Sequence, residues 1–159
     1  MRGIVIAALL CLGAVACSAD QDRPPPPGSG TPTTSADEHR VGTPIRLVIG
    51  EQTLTATVWE TPTGAALLDQ LPLTLTFADL NGVEKVAPLP RRLTMDQMPA
   101  GADAEIGDLG YYAPTGDLVL YYGEVGFWNG IARIGRIDGD LSIIADRSED
   151  FVGVVERTE

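Results

Sequence analysis

Gly107-Asp108-Leu109-Gly110-Tyr111-Tyr112-Ala113-Pro114-Thr115-Gly116-Asp117-Leu118-Val119-Leu120-Tyr121-Tyr122 is the stretch on which the fold turns. Two apolar and aromatic runs, Leu109 to Tyr112 and Leu118 to Tyr122, flank the turn residues Ala113-Pro114-Thr115-Gly116. That is the pattern of a β-hairpin. Side chains of a strand alternate between its faces, so each Tyr-Tyr pair sends one ring inward and one outward.

Similar runs recur on both sides. Upstream, Arg46 to Ile49 and Leu54 to Trp59 flank Gly50-Glu51, and Leu54, Ala56 and Val58 alternate with Thr53, Thr55 and Thr57. Thr61-Pro62 opens a short helix, with Thr as cap and Pro at the first helical position. Ala65 and Leu68 supply its apolar face, and Pro72 stops it. Leu73 to Phe77 alternates as a strand, and Asn81-Gly82 turns the chain into Val83 to Leu89. Pro88 and Pro90 place the end of that strand at an edge or in a loop. Residues 91 to 107 read as irregular. Ile131 to Ile137 and Phe151 to Arg157 complete the strands, with a short helix or turn near Leu141 to Ala145. Eight short strands and one or two small helices predict a mainly β fold, a closed eight-stranded barrel.

The N-terminus has a different composition. Arg2 precedes an uncharged, mostly apolar stretch from Ile4 to Val15, and Ala14-Val15-Ala16 leads into Cys17. The stretch is shorter than the roughly 20 residues that span a bilayer. It reads as a signal peptide, 1–16, ending at a lipoprotein-type site where the Cys17 thiol takes a diacylglycerol. An ordinary cleavage after Ala16 would instead release a soluble protein. Residues 17–44 carry the lipidated cysteine and a tether rich in Pro, Gly, Ser and Thr, including Pro24 to Pro27, with too few apolar residues to build a core. At about 3 Å per residue such a tether reaches up to about 80 Å from its anchor. The folded domain is expected over 45–159. The expected place is the bacterial cell envelope, outside the cytoplasm, with the domain held to a membrane through the lipid on Cys17.

Composition closes off several kinds of chemistry. The formal charge is −11, more negative by one once Arg2 leaves, and Lys85 is the sole lysine. A domain this acidic is a poor partner for nucleic acid, which needs clustered cations. Cys11 lies in the signal and Cys17 at the anchor, so the domain has neither disulfide nor thiol nucleophile. The single histidine, His39, is in the tether, which removes a Ser-His-Asp triad, a His-based zinc site and a His general base. Nothing in the chain asks for a cofactor. Asp103, Glu105 and Asp108, with Asp117 nearby, and Asp138-Gly139-Asp140 are the carboxylate groupings. They lack a calcium-loop pattern and read as solvated loop and turn, so no metal is expected.

Glu51 to Trp59, followed by Thr61-Pro62-Thr63 and Leu67-Leu68, resembles the opening of cyclophilins. Gly107-Asp108-Leu109 with Gly116 to Leu120 is similar to their central strand pair. Trp128-Asn129-Gly130 and Gly135 to Leu141 resemble their late segments. Leu71-Pro72-Leu73 and Gly110 to Leu118 are similar to a bacterial cyclophilin-like family of small proteins without assigned function, over essentially all of 45–159. The resemblance implies the barrel. It does not bring the prolyl isomerase chemistry with it. Leu75 to Gly82 stands where the family's catalytic arginine segment is expected, Leu118-Val119-Leu120 replaces its glutamine-aromatic pattern, and its histidine is missing.

Tyr111, Tyr112, Tyr121, Tyr122, Phe127 and Trp128 fall on what should be adjacent strands. Core packing accounts for about half of such a group. Tyr111, Tyr112, Tyr122 and Trp128 are the candidates for a ligand groove, with Tyr112 and Trp128 favoured. Arg91 and Arg92 are candidates to pair a ligand carboxylate. The expected function is therefore a membrane-tethered binding module for a peptide segment or small ligand in the envelope. The enzymatic alternative is a divergent peptidyl-prolyl isomerase using Arg91 or Arg92. A third is a structural lipoprotein that presents its acidic surface to a partner.

Overall fold

A computed structural model describes residues 40–158. Ten strands and two helices follow in the order β1 (Gly42–Ile49), β2 (Gln52–Trp59), α1 (Pro62–Leu68), β3 (Leu73–Leu80), β4 (Glu84–Pro88), β5 (Gly101–Asp103), β6 (Asp108–Tyr112), β7 (Asp117–Tyr121), β8 (Phe127–Asn129), β9 (Ile131–Ile137), α2 (Ser142–Ala145) and β10 (Phe151–Arg157). Eight strands close a barrel in the order β1-β10-β3-β4-β7-β6-β9-β2, and every pairing is antiparallel. The signal peptide, Cys17, His39 and nearly all of the tether lie outside the described residues.

Alternation builds the interior. Ile45, Leu47 and Ile49 of β1 face Leu54, Ala56 and Val58 of β2 within one buried cluster, joined by Leu75 and Phe77, Leu109 and Tyr111, Leu118 and Leu120, and Phe151 and Val155. Phe77 and Phe151, opposite each other across β3 and β10, stack at 5.3 Å. Ile144 of α2 and Leu67 of α1 join the same cluster. Helix α1 starts as expected: the Thr61 hydroxyl accepts from Gly64 N at 2.9 Å and Pro62 follows it. Its buried face is different. Thr63, Gly64 and Leu67 turn inward while Ala65 is exposed, and the Thr63 hydroxyl donates to Thr94 O at 2.7 Å.

Three of the departures from the sequence reading bear on the site. Strand β1 begins at Gly42, so the first three strand residues fall in the segment assigned to the tether. Pro44 fits there because β1 pairs with β10 only from Ile45 onward, and its missing N–H breaks no ladder bond on that side. The other two departures are β5 and β8, which form a separate two-stranded ribbon, Gly101↔Asn129 to Asp103↔Phe127. Each has three residues, too few to show a period, and β8 is exposed throughout.

Candidate functional site

The ribbon packs on the outer face of the barrel with β5 against β9, beside the outward residues of β4, β6 and β7. Register brings three rows together there. Glu84 pairs with Tyr121, Val86 with Val119 and then Gly110, and Asp117 with Tyr112 and then Ile131. Val119, Tyr121 and Ile131, with Ala104 beside β5, form a second buried cluster, against which Val86, Ala102, Tyr112 and Val125 pack. Strand β7 is therefore buried on both faces.

A groove of about 410 Å³ opens in this outer layer. Tyr112, Tyr121 and Trp128 line it, with Val83 and Leu80 at the end near the β3–β4 turn and Val125 toward the ribbon. Gly110 makes room for the floor: a Cβ there would lie 2.6 Å from the Tyr121 ring. The Trp128 indole donates to Val125 O at 3.1 Å, so a side chain that is 60% exposed is nevertheless oriented. Glu84, Asp117 and Glu124 also line the groove, and among the described residues no Lys or Arg does. Burial raises the Glu84 carboxyl above its ordinary value, and burial also raises the Tyr121 phenol. Asp117 accepts from the Thr115 hydroxyl at 2.5 Å.

Tyr112 and Trp128 thus meet in one groove. The other candidates are elsewhere. Tyr111 is 1% exposed inside the barrel, where its hydroxyl accepts from Leu93 N at 3.2 Å. Tyr122, the next residue after β7, packs against the barrel interior and donates to Asp79. Lys85, 1% exposed and inward-facing on β4, also donates to Asp79, at 2.6 Å, and to Arg147 O. Burial first, then the bond to Asp79, pushes the Tyr122 phenol up to about 12, while Lys85 and Tyr122 together hold Asp79 below the ordinary carboxylate range. Arg91 donates to Asp69 O at 3.4 Å, and Arg92 to Ala113 O at 2.6 Å and Pro114 O at 3.2 Å. Both arginines tie loops down and neither is among the groove-lining residues, although Arg92 holds the turn between two of them, Tyr112 and Thr115.

Asp108 and Glu105 share Arg133, while Asp117 lines the groove. Asp108 is fully buried and accepts from Arg133 Nε at 2.5 Å and Nη2 at 3.2 Å, and from Glu105 N at 2.8 Å. Among the described residues, no three His, Cys, Asp or Glu are grouped to hold a metal ion. Two other concavities flank this ion pair. One, about 490 Å³, holds Arg40, Trp59 and Arg136; the other, about 630 Å³, holds Asp103, Glu105 and Arg133.

Sequence reasoning missed Tyr121, Glu84 and Glu124 as groove residues. Leu118-Val119-Leu120-Tyr121 carried a usable signal, because a strand with no polar alternation is buried on both sides. Glu84 had none, since its place depends on register alone.

The sequence profile of the cyclophilin-like family matches residues 47–156. Among solved structures, a hypothetical protein of Archaeoglobus fulgidus, determined in solution, is similar with a TM-score of 0.59 and 21% identity, over 76% of this chain and 98% of that one. At that identity the likeness speaks to fold alone. No curated protein matches the sequence.

Proposed function

The chain belongs to the cyclophilin-like family, and from that premise we propose that it is a binding module, tethered to a membrane by a lipid on Cys17, that takes a peptide segment or small ligand of the cell envelope in the groove between Tyr112 and Trp128. The observation that carries this reading is the convergence of those two rings with Tyr121 on one concave, mostly apolar surface. Ligand sites are commonly concave and apolar with a few placed polar groups. Aromatic rings suit them because they offer large contact area with little rotamer entropy to lose.

Among the described residues the groove lining offers no guanidinium to polarise an imide, and Arg91 and Arg92 are engaged with backbone carbonyls. That favours binding over isomerisation. The test follows cis/trans exchange of X-Pro tetrapeptides by NMR with the full chain present. Shifts of peptide resonances without faster exchange are expected. Faster exchange that disappears in Arg91→Ala or Arg92→Ala would overturn the binding-only reading.

A further inference from the structure

Within the groove, Glu84 sits on the outward face of β4 opposite Tyr121. Its carboxylate is half-buried, and no ion pair to it forms among the described residues. Desolvation without a counter-charge is unfavourable, and burial accordingly raises the proton affinity of this group. Asp117 and Glu124 line the same groove, again with no cationic side chain among the described residues. Two aromatic side chains, Tyr112 and Trp128, complete the lining. Carboxylate and aromatic faces together suit an organic cation, the first by charge and the second through the ring quadrupole.

We propose that the groove's ligand is an extended peptide carrying a lysine or arginine beside apolar residues, with the basic head against Glu84 and the apolar neighbours against Tyr112, Val125 and Trp128. This rests on the groove being the binding site, as argued above. Charge complementarity selects the cation. The ribbon favours a peptide over a small ligand: β8 pairs with β5 alone among the described residues, which leaves it a second edge for strand addition.

The experiment titrates the full chain with the N-acetylated, C-amidated pentapeptide Ala-Leu-Lys-Leu-Ala and with its twin carrying norleucine for lysine, followed by calorimetry and by protein NMR shifts. The lysine peptide should bind about tenfold tighter, the size of one charge-assisted contact. In Glu84→Gln, which keeps the side-chain shape on an outer strand face, the two peptides should become nearly equal. An amide spectrum as dispersed as that of the wild type reports that the variant is folded. For the wild type, the preference should grow as pH rises past 4.5 through the raised Glu84 value. Equal affinities for the two peptides in the wild type would overturn the cation assignment and leave the groove as a binding site. A preference that survives Glu84→Gln would move the cation elsewhere on the acidic surface. Butylammonium binding as tightly as the lysine peptide would overturn the peptide assignment. If neither peptide shifts Tyr112 or Trp128, the groove reading itself falls.

Discussion

Single side chains carry unequal shares of stability and binding, and their burial sets the division. Trp128 is 60% exposed, so Trp128→Ala should change stability by less than about 1 kcal/mol while removing ligand binding. Tyr111 is 1% exposed inside the barrel, and Tyr111→Ala should destabilise by about 3–5 kcal/mol, as other large core truncations do. Urea denaturation with a parallel binding assay separates the two. Lys85→Ala leaves Asp79 and Arg147 O without their cation. The cost should be about 2–3 kcal/mol, below the ~3–5 of a fully buried pair because Asp79 is 28% exposed.

The same cluster sets an acid limit. The folded pKa of Asp79 lies below its ordinary 3.8, so its contribution is fully present above that value and is lost as pH falls through the lower, folded one. Melting temperature should fall below about pH 4, and Asp79→Asn should remove that part of the slope. Neither Asp79 nor Lys85 announced itself in the sequence. Lys85 stood out only as the sole lysine, and a lysine inside a barrel contradicts the expectation from residue type.

At the scale of elements, alternation made most of the barrel legible. Leu54-Ala56-Val58 faces inward as the period required, and Thr61-Pro62 opens α1 where the cap chemistry placed it. Thr61→Ala should cost about 1 kcal/mol and leave ligand binding unchanged, measured by thermal melting and titration. The ribbon was not legible, because three exposed residues on β8 carry no period. Its absence from the sequence reading left Tyr121 unassigned and kept the groove incomplete. Gly110 tests the element packing directly. Gly110→Ala places a methyl 2.6 Å from the Tyr121 ring and should push that ring toward the groove, weakening ligand binding with a smaller effect on stability.

Across the whole molecule, the family profile covers 47–156 and accounts for the barrel, while the N-terminal segment lies outside that match. The lipid reading rests on Ala14-Val15-Ala16-Cys17, outside the described residues. Cys17→Ser should move the protein from the membrane to the soluble fraction, and mass spectrometry of the wild type should find the diacylglycerol on the mature N-terminus. Fold and function separate at this scale. A barrel shared with a hypothetical archaeal protein at 21% identity does not carry an activity. The placement of Tyr112, Tyr121 and Trp128 carries the functional argument, because β6 and β7 of the barrel and β8 of the ribbon bring them to one groove.

The central claim is that this wall is where ligand binds, and amide chemical-shift mapping of the isotope-labelled full chain, titrated with the lysine pentapeptide, tests it most directly. The account predicts that the shifted amides cluster at Glu84, Tyr112, Tyr121, Val125 and Trp128. Shifts gathered instead around Arg40, Trp59 and Arg136, with the groove unmoved, would contradict it.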